Sequence, residues 1–95
     1  MQDRVMIVIN APIDEADTMR DAIGEAGGGK LGNYSFCSFS IKGLGRSLPS
    51  EIANPTIGTP GELEVIEEER IEVSCDKADA PAIVRVIRET SSYEE

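Results

Sequence analysis

Along the 95-residue chain, hydrophobic and polar positions form five patterned segments separated by turn-forming residues. Val5 to Ile9 is a continuous apolar run ended by Asn10 and Pro12, the pattern of a central strand covered on both faces or lying at an interface. Ile13, Ala16, Met19, Ile23 and Ala26 then recur at helical spacing, with Asp14, Glu15 and Asp17 in the first turn, where acids suit the positive end of the helix dipole. A helix is predicted over 13–26, ended by Gly27 to Gly29, since glycine accepts the left-handed conformation of a C-terminal cap. Asn33 to Ile41, uncharged and rich in Tyr, Phe, Ser and Cys, suits a strand. Its apolar residues change parity, so either both faces are buried or a bulge near Phe36 switches them.

Lys42 to Pro60 has no period but carries Gly43, Gly45, Pro49, Asn54, Pro55, Gly58 and Pro60, and is expected to be a long loop. Gly61 to Cys75 alternates: Leu63, Val65, Ile71, Val73 and Cys75 share one face, and Glu62, Glu64, Glu68, Arg70 and Glu72 the other. A long half-exposed antiparallel strand follows, bent where Glu67 and Glu69 interrupt the apolar parity. Ala80, Ile83, Val84 and Ile87 mark a second helix over 79–90, with Asp76 or Asp79 as its cap and Pro81 in its first turn. The order β-α-β-β-α is that of a ferredoxin-like α+β sandwich, with two helices on one face of an antiparallel sheet, which normally closes with one more strand.

Length and composition bound this picture. A chain this short buries only roughly 60 to 65% of its unfolded surface and holds one core, so residues 1–95 form a single domain. The apolar runs fall far short of the roughly 20 residues a bilayer span needs, and the start has no basic region before a long apolar stretch. A cytoplasmic protein with no membrane partner is expected. The net charge of -9 repels a phosphate backbone, which argues against nucleic acid. The charge is unevenly spread: residues 1–25 sum to -4 and residues 62–95 to -7, while 26–61 sum to +2 through Lys30, Lys42 and Arg46 against Glu51. Cys37 and Cys75 lack paired spacing and are expected to be buried free thiols. With no histidine, the commonest general base and transition-metal ligand are both missing.

Chemistry-bearing motifs are few. GEAGGGKL at Gly24 to Leu31 comes within one residue of a P-loop, and Gly27, Gly29 and Gly32 spell G-x-G-x-x-G. Both motifs need a strand to deliver the glycines to a helix N-terminus. Here a helix enters the glycines and a strand leaves them, and Leu31 stands where a Mg²⁺-binding hydroxyl belongs. The glycines cap and turn the chain, or form a nest of amides for an anion beside Lys30. Lys42 and Arg46, near Gly43 and Gly45, could close on an anionic molecule or a partner. Glu67, Glu68 and Glu69 sit in a strand, where neighbours face opposite ways and cannot converge on one cation, and Ser35, Ser38, Ser40 and Cys37 lack a histidine to activate them. No catalytic residue, metal ligand or cofactor is expected.

EAGGGKLGNYSFCSFS, GLGR at Gly43 to Arg46, NPTIG at Asn54 to Gly58, GELEVIEEERIEV at Gly61 to Val73 and the final YEE together resemble the inserted domain of YqfO-type proteins. These belong to the NGG-interacting-factor (Nif-type) dinuclear metal-centre family, which includes small stand-alone versions. The resemblance covers essentially the whole chain and implies a PII/CutA-like fold assembled as trimers through sheet edges. It carries over neither an enzymatic role nor the dinuclear metal site, whose ligands lie in flanking domains. The family's usual ending resembles His-Pro-Tyr-Glu-Glu followed by a further strand, whereas Ser91 and Ser92 precede Tyr93 here, so an open sheet edge relieved by self-association is expected. The expected function is a non-enzymatic oligomeric binding or regulatory module whose subunit clefts, lined by Lys30, Lys42, Gly43, Gly45 and Arg46, take an anionic small molecule or a partner. The alternatives are an assembly domain without ligand and, more distantly, a divalent-metal-binding protein.

Overall fold

The computed structural model describes residues 3–50, 59 and 61–93. Strand β1 (Arg4–Pro12) leads through a 3-10 turn (Ile13–Glu15) into helix α1 (Ala16–Glu25). Strands β2 (Phe39–Ser47) and β3 (Glu64–Asp76) follow, and a second 3-10 turn (Lys77–Asp79) opens helix α2 (Ala80–Thr90). The sheet order is β1-β3-β2 and both pairings are antiparallel, so β1 and β2 run parallel on either side of β3. This is the ferredoxin-like α+β arrangement expected.

The long third strand is what holds the domain together. Its residues Ile71, Val73 and Cys75 lie opposite Ile9, Ile7 and Val5, and this face buries Met19 and Ile23 of α1 and Ile83 and Ile87 of α2. Ile71 and Ile83 have no accessible surface, so truncating either removes contacts from a close-packed interior. The alternation read from the sequence therefore marks the core face correctly from Glu69 to Cys75. Beyond the helices the same face is bare: Leu63 and Val65 are exposed.

Several expectations need correction. Strand β1 is an edge strand of the described sheet, not a central one, and its second face presents Met6 and Val8 to solvent. The strand expected over 33–41 begins only at Phe39; residues 31–34 form a tight turn closed by reciprocal backbone bonds between Leu31 and Tyr34, and Phe36 has φ 60. The loop expected over 42–60 is strand as far as Ser47, because Lys42 to Ser47 pair in register with Glu69 to Glu64. Asn54, Pro55 and Gly58, among the turn-forming residues of that loop, lie outside the described residues. Neither helix has a side-chain N-cap bond; Asp76 instead takes the Arg4 guanidinium at 2.9 Å.

The two cysteines also part company. Cys75 is buried and Cys37 exposed. Burial pushes the Cys75 thiol above its ordinary 9.0, with nearby Arg4 pulling the other way. The neutral thiol therefore stabilises the folded state fully below that ordinary value, and this contribution is lost as pH rises past it. Because the thiolate is the reactive form, a thiol reagent at neutral pH is expected to modify one sulfhydryl per native chain promptly and the second only in denaturant. Cys37→Ser should abolish the fast reaction; equal rates for both thiols would mean that Cys75 is not sealed.

Candidate functional site

The glycine-rich segment is a corner. Helix α1 ends in a Schellman motif: the Gly28 amide donates to the Ile23 carbonyl at 2.9 Å and the Gly27 amide to Gly24 at 3.1 Å, with Gly27 at φ 98. Gly29, also left-handed at φ 76, donates to the Ser74 carbonyl at 2.8 Å and accepts from the Cys37 amide at 3.0 Å. Three amides of the expected anion nest are thus committed to protein carbonyls. The helix end here is the negative one, so the geometry is the reverse of a phosphate-binding loop.

Lys30 and Leu31 come out of this corner onto an open cleft of about 710 Å³ that Arg4, Ala26, Asp76 and Asp79 also line. Arg4 is held rigidly: NH1 donates to Asp76 at 2.9 Å, and NH2 donates to Ser74 Oγ at 2.9 Å and to the Lys30 carbonyl at 3.2 Å. Lys30 and Asp79 are exposed and have no ion-pair partner among the described residues.

Lys42, Gly43, Gly45 and Arg46 lie elsewhere, on β2 rather than in a loop. They pair with Glu69, Glu68, Ile66 and Val65, whereas the Lys30 cleft adjoins Asp76. At about 3.3 Å per residue, that separates Lys30 from Lys42 and Arg46 by roughly 23 to 36 Å along β3. One chain therefore does not gather the five residues around a small ligand. Lys42, Leu44 and Arg46 share a strand face, and the two cations are exposed. The space a side chain would need at Gly45 is filled by the Glu68 carboxylate, whose Oε1 lies 1.7 Å from an added Cβ.

Two polar constellations escaped the sequence reading. Glu69, in the apolar parity of β3, is buried and ion-paired with Arg20 of α1. Arg20 also binds Asp17 and donates to Ser40 Oγ at 3.2 Å, tying α1 to two strands. The Glu69 hydrogen bond, working against burial, raises the Arg20 guanidinium above its already high range. The signal was present as a carboxylate on a core face, which burial permits only with a partner. The second is Tyr93, whose phenol donates to Glu68 while Ser92 donates to Glu15 at 2.6 Å, docking the segment after α2. Burial first, and the Glu68 bond second, push that phenol above the usual tyrosine range. No sequence pattern pairs residues 25 positions apart on such different elements.

No helix among the described residues is long and apolar enough to cross a membrane. No family model matches the chain. It is 39% identical over 89 residues to a protein of Halalkalibacterium halodurans named GTP cyclohydrolase 1 type 2 homolog, covering 94% of this chain and 24% of that protein. A Bacillus subtilis protein of the same name is 36% identical over 89 residues, with the same coverage. Among solved structures, a Bacillus cereus protein related to NIF3 superposes with a TM-score of 0.85 at 33% identity, over 99% of this chain and 24% of that one. The chain thus spans about a quarter of the length of the relatives it matches. Their shared name records homology to an enzyme, and the matched part is a small binding or regulatory domain in general character.

Proposed function

We propose, since this chain belongs to the YqfO/NIF3 family as one domain of its longer members, that it is a non-enzymatic oligomeric binding module of the PII/CutA type. One observation carries the oligomer: the sheet face away from the helices is bare. Met6, Val8, Phe39 and Ile41 are 58, 45, 61 and 52% exposed, and the strand register sets Val8, Glu72 and Phe39 in one row across it. Past the helices, β2 and β3 continue as a two-stranded ribbon carrying exposed Leu44 and Val65, and such a ribbon alone is marginal in water. Apolar patches of this kind mark association surfaces. The basic middle segment and the acidic remainder suit a head-to-tail contact, which forms a ring where its rotation closes.

In this reading the ring is a trimer, and its clefts bring Lys42 and Arg46 of one copy towards Lys30 of the next, around an anionic small molecule. A second reading, assembly without ligand, is favoured by the Glu68 carboxylate over Gly45, which would repel an anion there. Sedimentation separates oligomer from monomer: a species three times the 10.2 kDa chain mass is expected, and Phe39→Lys with Ile41→Lys should reduce it to monomer. Monomer alone at micromolar concentration refutes the assembly. A thermal-shift screen with nucleotides and phosphate metabolites then decides between the two readings. Stabilisation lost in Lys30→Ala with Arg46→Ala supports the ligand; no stabilisation by any anion, with partner binding unchanged in that variant, leaves assembly alone.

A further inference from the structure

The cleft beside Lys30 is lined within one chain by charges of both signs, Lys30 and Arg4 with Asp76 and Asp79. We infer that it binds a zwitterionic small molecule, an α-amino acid, with its carboxylate at Lys30 and its ammonium at Asp79. This rests on the reading above that the module binds a small molecule through Lys30, and replaces the purely anionic ligand by a zwitterionic one held within one chain. The Lys30 segment suits an anion: besides the ammonium, the Lys30 and Gly32 amides, unlike those of residues 27–29 and 31, donate to no backbone carbonyl among the described residues. Gly32 at φ 58 sets that amide in a left-handed turn. Asp79, lining the same cleft, suits a cation. Asp79 is exposed, makes no cap bond to its own helix and has no cationic partner among the described residues, while Asp76 is already neutralised by Arg4.

Arg4 matters by what it cannot do. Three bonds, to Asp76, Ser74 and the Lys30 carbonyl, occupy its guanidinium, so it is not free to neutralise Asp79. The unpaired charges at Lys30 and Asp79 are not within ion-pair distance of each other, which leaves room for a molecule that satisfies both. A purely anionic ligand would meet Asp79, and a purely cationic one Lys30. Leu31 and Ala26 supply an apolar wall for an aliphatic side chain. The volume of about 710 Å³ falls in the usual range of small-molecule sites.

Three probes test this by titration calorimetry and by chemical-shift changes in the intact chain: L-leucine, 4-methylpentanoate, which lacks the amino group, and 3-methylbutylamine, which lacks the carboxylate. Leucine is expected to bind about tenfold or more tightly than either analogue and to shift residues 26–32 and 76–79, since each charge-assisted contact is worth at least that factor. Lys30→Met and Asp79→Asn should each erase the preference, while Lys30→Arg keeps it. Both residues are exposed, so unchanged melting curves will show that the variants fold. Equal binding of leucine and 4-methylpentanoate, or phosphate binding without leucine binding, overturns the zwitterion and leaves the anion reading standing. No response to any of the three at these residues overturns the inference; a thermal shift with phosphate compounds that needs Arg46 would then place the anion site elsewhere.

Discussion

Replacing Arg20 with methionine is expected to destabilise the domain by about 3 kcal/mol, because it strands a buried carboxylate. Glu69 is 9% exposed, on the face of β3 that packs against α1, and Arg20 supplies its counter-charge. Methionine keeps most of the arginine's apolar stem, so the loss is chiefly electrostatic. Breaking such a pair from one side typically costs about 3 to 5 kcal/mol, and the lower end applies because the Arg20 side chain is 25% exposed. For a domain of this size the midpoint of thermal unfolding should fall by roughly 12 to 24 °C at matched protein concentration. The companion variant, Arg20→Met with Glu69→Leu, should recover most of that loss, since an apolar pair of similar volume can replace a buried ion pair at little cost. An unchanged midpoint in Arg20→Met would mean that water reaches Glu69 and that the pair is ornamental to stability.

That pair also explains how much of the fold was legible. Periodicity found β1, α1, β3 and α2 because each buries one face, and burial imposes a spacing that a single sequence displays. The break at Glu67 and Glu69 was visible as a break, but its partner lies 49 positions away on a helix, and only the register of β3 under α1 brings them together. Strand β2 was misplaced for a related reason. Its stretch FSIKGLGRS has two glycines and no alternation of burial, and it is extended because β3 offers a hydrogen-bonding edge along its whole length. Tertiary pairing there overrides local preference. Conversely, Asn33 to Cys37 has strand composition yet turns, with the Phe36 ring lying on α1 where Gly24 has no side chain; an added Cβ at Gly24 would stand 2.0 Å from that ring. A left-handed phenylalanine is strained, and the absence of a side chain at Gly24 is what gives its ring room.

The candidate site divides along the same line. Lys30 was found because it follows a glycine cluster, and the acid-free stretch around it is plain in the sequence. Asp79, which lines the same cleft, was read only as a cap, since bringing the β3–α2 junction to the α1–β2 corner is a long-range event. Grouping Lys42 and Arg46 with Lys30 followed from proximity in sequence; within one chain the antiparallel strand carries them apart along β3, so only a cleft between copies can gather them.

Gly29→Ala should be among the most damaging single changes in the chain, costing about 3 to 4 kcal/mol and lowering the melting midpoint by roughly 12 to 30 °C. Two effects add. The residue sits at φ 76, where an L side chain costs about 1 to 2 kcal/mol. A methyl group there would also stand 2.2 Å from the Cys37 carbonyl oxygen and 2.7 Å from its amide nitrogen, both backbone atoms that no rotamer change can move aside. Relief requires opening the corner, and with it the bonds to Ser74 and from Cys37, each worth about 1 kcal/mol. Gly32→Ala is the control: it is left-handed at φ 58 but meets nothing within 4 Å, so about 1 kcal/mol is expected from conformation alone. The contrast separates the two explanations of the glycine-rich stretch. If the glycines exist to let a phosphate approach the backbone, both variants should melt alike and differ only in ligand binding. If they exist to stitch the end of α1 between β3 and the approach to β2, Gly29→Ala unfolds the domain far more readily than Gly32→Ala with no ligand present, because the atoms it strikes belong to the chain itself.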